Sequence, residues 1–239
     1  MPAGTLDVVG LSAQYGDFKV LHDISFSVAP GEIVSIVGSN GAGKTTTLRS
    51  IVGIIQPTGG SVTFDGARID GRRPSDIVER GLAMVPEGRN LFRDMTVEEN
   101  LMMGAHVPRV RKHARRRIAE MYERFTTLPG LAKRYAGTLS GGQQQIVAIA
   151  RALMSEPSVL LMDEPSLGLS PKITLEIFAL VRRIGADGTS VVLVEQNVTH
   201  ALALASRAYV ISDGRSVMEG TASEFLASDE VRRRFLGET

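Results

Sequence analysis

The chain has 239 residues, 43% of them apolar and 22% charged, with a formal net charge of +1. That composition supports a buried core, excludes a long disordered chain and leaves no whole-chain electrostatic case for nucleic acid. The sequence contains no cysteine, which excludes a disulfide framework or a thiolate metal site and fits a reducing compartment.

Met1 to Gly10 lacks the basic-then-apolar pattern of a secretory signal. No apolar run approaches the ~20 residues that span a bilayer, so the chain is expected in the cytosol, with any spanning helices supplied by another polypeptide. The first third reads as strands: Leu6 to Val9, Val20 to Val28, Ile33 to Val37 and Ser61 to Phe64, with turn signals at Gly16-Asp17, Pro30-Gly31 and Asp65-Gly66. From Pro74 to Ala136 the character is helical around a strand at Leu82 to Val85, with a capping box at Thr96 to Glu99 and a charged, weakly amphipathic helix over Arg111 to Phe125. A helix then runs from Ser140 to Leu153, followed by an apolar strand Val159 to Met162, a helix opened by Ser170-Pro171, an apolar strand Ser190 to Val194 and a helix Val198 to Ala205. Asp213-Gly214 turns a hairpin between Ala208 to Ile211 and Arg215 to Met218, and short helices follow. Continuous apolar strands alternating with helices predict a parallel sheet covered on both faces, hence an α/β core.

Gly38-Ser39-Asn40-Gly41-Ala42-Gly43-Lys44-Thr45 fits the G-x-x-x-x-G-K-[ST] pattern, between a strand Glu32 to Val37 and a helix Thr45 to Val52. Its glycines let backbone N–H groups converge on phosphate oxygens at a helix N-terminus. Lys44 would reach the β- and γ-phosphates and Thr45 would ligate Mg²⁺; the alternative is a glycine-rich turn that binds nothing. The strand Val159 to Met162 ends in Asp163 and Glu164, carboxylates that an apolar core would not accept unless they face a site. Asp163 suits Mg²⁺, directly or through water, and Glu164 suits a general base acting on a water, unless the pair only caps the strand and meets solvent.

Leu139-Ser140-Gly141-Gly142-Gln143 opens a helix shortly before this acidic strand end. With the phosphate loop it resembles the nucleotide-binding domain of ABC ATPases, and the resemblance spans nearly the whole chain. Physically, Ser-Gly-Gly at a helix start offers a hydroxyl and free amides to an anion, or is simply a helix cap. The resemblance implies a P-loop NTPase core with a parallel sheet, an N-terminal antiparallel β subdomain and an inserted α-helical subdomain. It makes 1–239 a single domain, with 1–85 and 156–239 as core and β subdomain and about 95–150 as the helical lobe. It implies ATP and Mg²⁺ as ligands, contacts from Gly38 through Thr46, Tyr15 stacking on adenine (otherwise ordinary packing), and the 139–143 signature acting on a partner's nucleotide. Ser166-Leu167-Gly168-Leu169 then touches the partner, or is a connection capped by Ser170.

Two positions depart from the common family pattern. Glu87, in Val85-Pro86-Glu87-Gly88-Arg89, replaces a glutamine that meets Mg²⁺ and the attacking water, and Gln196, in Glu195-Gln196-Asn197, replaces a histidine at the γ-phosphate. His200 lies a helical turn further on and suits a helix polar face instead. This combination resembles an ATPase subunit of branched-chain amino acid importers. That implies membrane permease subunits, a second and different ATP-binding subunit (or a homodimer in isolation), an indirect solute-binding receptor and a peripheral place on the cytoplasmic side of the inner membrane. A regulatory subunit with weak hydrolysis and a soluble ABC ATPase of DNA repair or translation are the rival readings. Arg109 to Arg117 reads as a solvated basic helix face or a contact for acidic lipid or a partner, and Phe92 as either a membrane-partner contact or local packing.

Overall fold

The structure, a computed structural model, describes residues 4–227. Strand β1 (Leu6–Tyr15) turns at Gly16 into β2 (Phe18–Val28). Both are longer than the sequence pattern predicts, because the alternation of buried residues skips a place between Val8 and Leu11. Gly10, at φ +65°, forms an irregularity there, and Asp23, at φ +68°, lies across from it. After β3 (Ile33–Val37) come α1 (Lys44–Ile51), β4 (Gly59–Phe64) and β5 (Ala67–Arg68). Strands β1, β2, β4 and β5 form an antiparallel sheet in the order β2-β1-β4-β5.

Next come α2 (Pro74–Arg80), β6 (Leu82–Val85), α3 (Val97–Gly104), α4 (Pro108–Arg111) and α5 (Ala114–Arg124). Helix α3 starts with the expected box: Thr96 Oγ1 accepts from the Glu99 amide and Glu99 accepts from the Thr96 amide. The single helix expected over Arg111 to Phe125 is instead split, with His113 as the cap of the second piece. The short first piece, begun by Pro108 at its first position, lets Val110 and Ala114 both turn into the core.

The remaining elements are α6 (Gly141–Leu153), β7 (Val159–Asp163), α7 (Pro171–Ala186), β8 (Ser190–Glu195), α8 (Val198–Leu204), β9 (Arg207–Ser212), β10 (Arg215–Thr221) and α9 (Ala222–Ala227). Any helix expected beyond α9 lies outside the described residues. Asp213 and Gly214 both take positive φ, the geometry of the tight hairpin read from the sequence. The large sheet runs β10-β9-β3-β8-β7-β6 and is parallel except for the β10 edge.

Among the described residues a small apolar cluster joins β3 and β9 to α8, and two larger ones take opposite faces of β7 and β8. Leu160 and Met162 of β7, with Val191 and Leu193 of β8, pack on the side of α3 to α7. Val159 and Leu161, with Val192 and Val194, pack toward α1 and the antiparallel sheet. Successive residues of one strand thus feed opposite cores, which is why these strands read as unbroken apolar runs. Because β3, β6, β7 and β8 are parallel, their following residues, Gly38, Pro86, Glu164 and Gln196, gather along one edge of the sheet. Among the described residues, no helix is long and apolar enough to cross a membrane.

Candidate functional site

The phosphate loop is rigid for local reasons. A Cβ at Gly38 would lie 2.2 Å from the Ile211 carbonyl, and Gly43, at φ +106°, caps α1 without a side-chain bond. The Ala42 carbonyl accepts from the Gly214 amide, which ties the loop to the β9–β10 hairpin. Gly41, at φ +81°, has open space where a side chain would be, while Ser39 and Asn40 are exposed. Ala42 and Thr46 are buried beneath the loop.

Lys44 is 5% exposed and curls back over this loop: its Nζ donates to the carbonyls of Gly38 (2.9 Å) and Ser39 (3.1 Å). A carboxylate oxygen of Glu164 lies 3.6 Å from the same Nζ. Thr45 Oγ1 donates to Asp163 Oδ1 at 3.1 Å. The other Asp163 oxygen is buried and has no partner among the described residues, and burial, with lesser repulsion from Glu87 and Glu164, pushes this carboxyl up to about 6. An orphaned anionic oxygen beside a threonine hydroxyl, with the Glu87 and Glu164 charges acting on it, is the donor set expected of a phosphate-bound Mg²⁺, which takes one or two protein groups and fills its shell with phosphate and water. Among the described residues no group of three or more His, Cys, Asp or Glu could hold a metal by itself.

Four sequence-predicted residues, Lys44, Thr45, Asp163 and Glu164, therefore meet directly. Asp163 and Glu164 do not merely cap the strand. Glu87 is exposed and acts on Asp163 through space. Gln196 is exposed and lines a cavity of about 760 Å³ with Glu164, Ser166 to Leu169, Glu195 and His200. The His200 ring packs edge-on against Phe178, with ring centres 5.1 Å apart. Tyr15 is 48% exposed next to the β1–β2 turn.

The signature is built as a helix cap. Ser140 Oγ accepts from the Gln143 amide and Gln143 accepts from the Ser140 amide. A Cβ at Gly142 would lie 2.7 Å from Ile173, so this glycine is required by packing. Leu139 is buried. Among the described residues no hydrogen bond joins 139–143 to the phosphate loop. Ser170 holds the cap position of α7 but makes no side-chain cap bond.

Two features escaped the sequence reading. Arg89, at φ +69°, donates to Gln144 at 3.3 Å and lies over Gly141, so it ties the Glu87 loop to the signature helix. Glu195, 2% exposed, accepts from the Ser166 amide and hydroxyl. A carboxylate ending an apolar strand is the signal that found Asp163 and could have found Glu195. The basic run is corrected for three members. Arg111, Lys112, Arg115 and Arg116 are exposed, but Arg109, His113 and Arg117 turn inward onto Glu156, at 3.9, 3.3 and 3.1 Å. Phe92 is 45% exposed under the Arg151 guanidinium, 5.6 Å from its ring centre.

The sequence profile described as "ABC transporter" matches residues 21–167. The chain is 44% identical, over 95% of its length and 97% of that protein, to the high-affinity branched-chain amino acid transport ATP-binding protein BraG of Pseudomonas aeruginosa. It is 34% identical, over 98% of each chain, to the lipopolysaccharide export system ATP-binding protein LptB of Escherichia coli. The structure superposes on the ADP conformation of MJ1267, an ATP-binding cassette of an ABC transporter, with a TM-score of 0.82, 28% identity and 100% of both chains covered.

Proposed function

Because this chain belongs to the ABC transporter ATPases, we propose that it energises a membrane importer of branched-chain amino acids. It is an ATP-binding, ATP-hydrolysing subunit. The observation that carries the rest of the reading is the meeting of Lys44, Thr45, Asp163 and Glu164 beside the phosphate loop. In this reading 1–239 acts as one nucleotide-binding domain. Backbone amides of 38–46 cradle the phosphates, Tyr15 stacks on adenine, and Lys44 exchanges its two carbonyl partners for phosphate oxygens. Thr45 and Asp163, with Glu87 nearby, are the groups that would hold Mg²⁺, which when bound would supply neutralisation of phosphate charge. Glu164 takes the proton of the attacking water, and Gln196 donates a hydrogen bond toward the γ-phosphate. Leu139 to Gln143 complete the site of a second ATPase subunit, so that ATP closes a dimer and hydrolysis reopens it.

Coupling needs a permease contact, and a groove of about 470 Å³, lined by apolar residues such as Val78, Phe92 and Met103 and by the polar Asn90, His106 and Arg151, offers a seat one loop away from Glu87. Amino-acid import follows the likeness to BraG. The LptB likeness makes export the competing direction. Uptake of labelled leucine by cells lacking the gene, with and without the restored chain, tests the solute; uptake unchanged by the deletion would sink it. ATP turnover that survives Lys44→Ala would sink the mechanism.

A second reading, a nucleotide-binding subunit with weak hydrolysis, is favoured by one observation: Glu87 adds its negative charge to the field around Asp163. Turnover by the purified chain at less than about a hundredth of the usual enzymatic median of about 10 s⁻¹ would favour it.

A further inference from the structure

The strand β8 is buried along its whole length, yet it ends on a carboxylate. Glu195 is 2% exposed and faces no cation among the described residues; its two oxygens accept from the Ser166 amide at 3.3 Å and the Ser166 hydroxyl at 3.0 Å, with the Gln196 amide a weaker neighbour. One position earlier, the Val194 carbonyl accepts from the Glu164 amide at 2.9 Å. Consecutive residues of β8 therefore grip both ends of the Glu164-Pro165-Ser166 segment. The segment needs such a grip, because Glu164 is held at φ +45°, a left-handed conformation that a carboxylate side chain rarely adopts unaided. Burying an anion against neutral donors is costly, and burial, with a smaller push from the Glu164 charge, raises the Glu195 carboxyl to about 7. An alanine or valine would finish the strand at lower cost, so the carboxylate is explained by what it holds. It holds a short loop with the general base at one end and the residues facing the large cavity, Leu167 to Leu169, at the other.

We propose that Glu195 is a positioning residue for ATP hydrolysis, which fixes the loop after β7 through Ser166 and so sets the direction of Glu164, and that it links that loop to Gln196 on the next position of its own chain. The inference rests on the reading of Glu164 as the general base. The substitution Glu195→Gln keeps both contacts, accepting from the amide and donating to the hydroxyl, whereas Glu195→Ala keeps neither.

The test measures kcat and KM for ATP hydrolysis by the full chain, binding of a fluorescent ATP analogue, and thermal unfolding. The variants are Glu195→Ala, Glu195→Gln, Ser166→Ala and, as a control on the underlying reading, Glu164→Gln. Loss of orientation at the base lowers kcat of Glu195→Ala roughly tenfold with KM and analogue binding within about twofold. Glu195→Gln restores turnover to within about threefold of the parent, and Ser166→Ala, which loses one neutral hydrogen bond, costs about threefold in kcat. Equal kcat in Glu195→Ala and the parent overturns the proposal, as does a fall in analogue binding that matches the fall in kcat. If Glu195→Ala is unfolded at the assay temperature, Ser166→Ala decides: an unchanged kcat overturns the proposal, and a loss with KM preserved supports it. Full turnover in Glu164→Gln overturns the general-base reading itself, and the inference with it.

Discussion

Strands β7 and β8 are neighbours, parallel and buried, and each ends on acidic residues at the same edge of the sheet. Their carboxylates meet different company. Glu164 has Lys44 at 3.6 Å, and Asp163 has the Thr45 hydroxyl and a second oxygen left without a partner. Among the described residues, Glu195 meets neutral donors, chiefly the Ser166 amide and hydroxyl and more weakly the Gln196 amide, and no cation. One sequence signal therefore marks two kinds of work. In the proposed reading, the charge at β7 serves phosphate, metal and water, while at β8 it holds a loop. An acidic end on an apolar strand locates the edge of a site, and the partner of each carboxylate decides its role.

The sharpest way to break this contrast is to make the same change at both ends. Glu164→Gln removes a base and is expected to lower ATP turnover about 100- to 10,000-fold while nucleotide binding is kept. Steady-state hydrolysis and analogue binding measure this. A loss no larger than that of Glu195→Gln would erase the distinction between the strands. Next in size is Asp163→Asn, which takes away the orphaned anionic oxygen. It is expected to weaken Mg²⁺-dependent nucleotide binding about 10- to 100-fold and to leave binding in chelator nearly unchanged, as titrations with and without EDTA would record.

Much of the β7 end was legible in the sequence because two independent patterns, the glycine loop and the Asp163-Glu164 pair, converge on one place in the fold. The β8 end was less legible. Gln196 was singled out only through a resemblance, and Glu195, though its signal is the same, needs Ser166 beside it before it has a role, and that contact spans 29 residues of chain. The fold shows the same division. Strands β7 and β8 announce themselves by unbroken apolar runs. The second half of β1 hides behind the Gly10 irregularity, and the inward turn of Arg109, His113 and Arg117 depends on Glu156, more than 30 residues away in sequence. Local pattern reports burial and turns; it does not report which distant partner a polar group will find.

A smaller effect sharpens the contrast on the β7 side. Glu87 is exposed, so its repulsion of the site is weakened by solvent, and a change of about 0.4–1 kcal/mol is the scale for such a charge. Glu87→Gln is therefore expected to raise kcat about twofold to fivefold, read in the same hydrolysis assay. No change, or a fall, would mean that Glu87 helps to hold the metal more than it repels phosphate.

The smallest expected effect concerns stability, and it asks whether the two strand ends differ in charge state as well as in partners. The Glu195 carboxyl, ordinarily at 4.5, is raised to about 7 in the folded chain by burial. The folded form therefore holds this proton more tightly than the unfolded form does. The associated stability is fully present below pH 4.5 and is lost as the pH rises through about 7. The amide introduced by Glu195→Gln cannot titrate and resembles the protonated acid in shape and hydrogen bonding. Thermal unfolding of the nucleotide-free chain should give Glu195→Gln and the parent nearly equal Tm at pH ~4, with the variant ahead at pH ~8 by about 2–4 °C for each kcal/mol of linkage. Asp163, also raised by burial, titrates in both proteins and cancels in the difference. A gap that does not change with pH would mean that Glu195 keeps its charge throughout and has a cationic counterpart, as Glu164 has in Lys44; the two strand ends would then be variants of one arrangement, and the loop-holding role of β8 would lose its electrostatic basis.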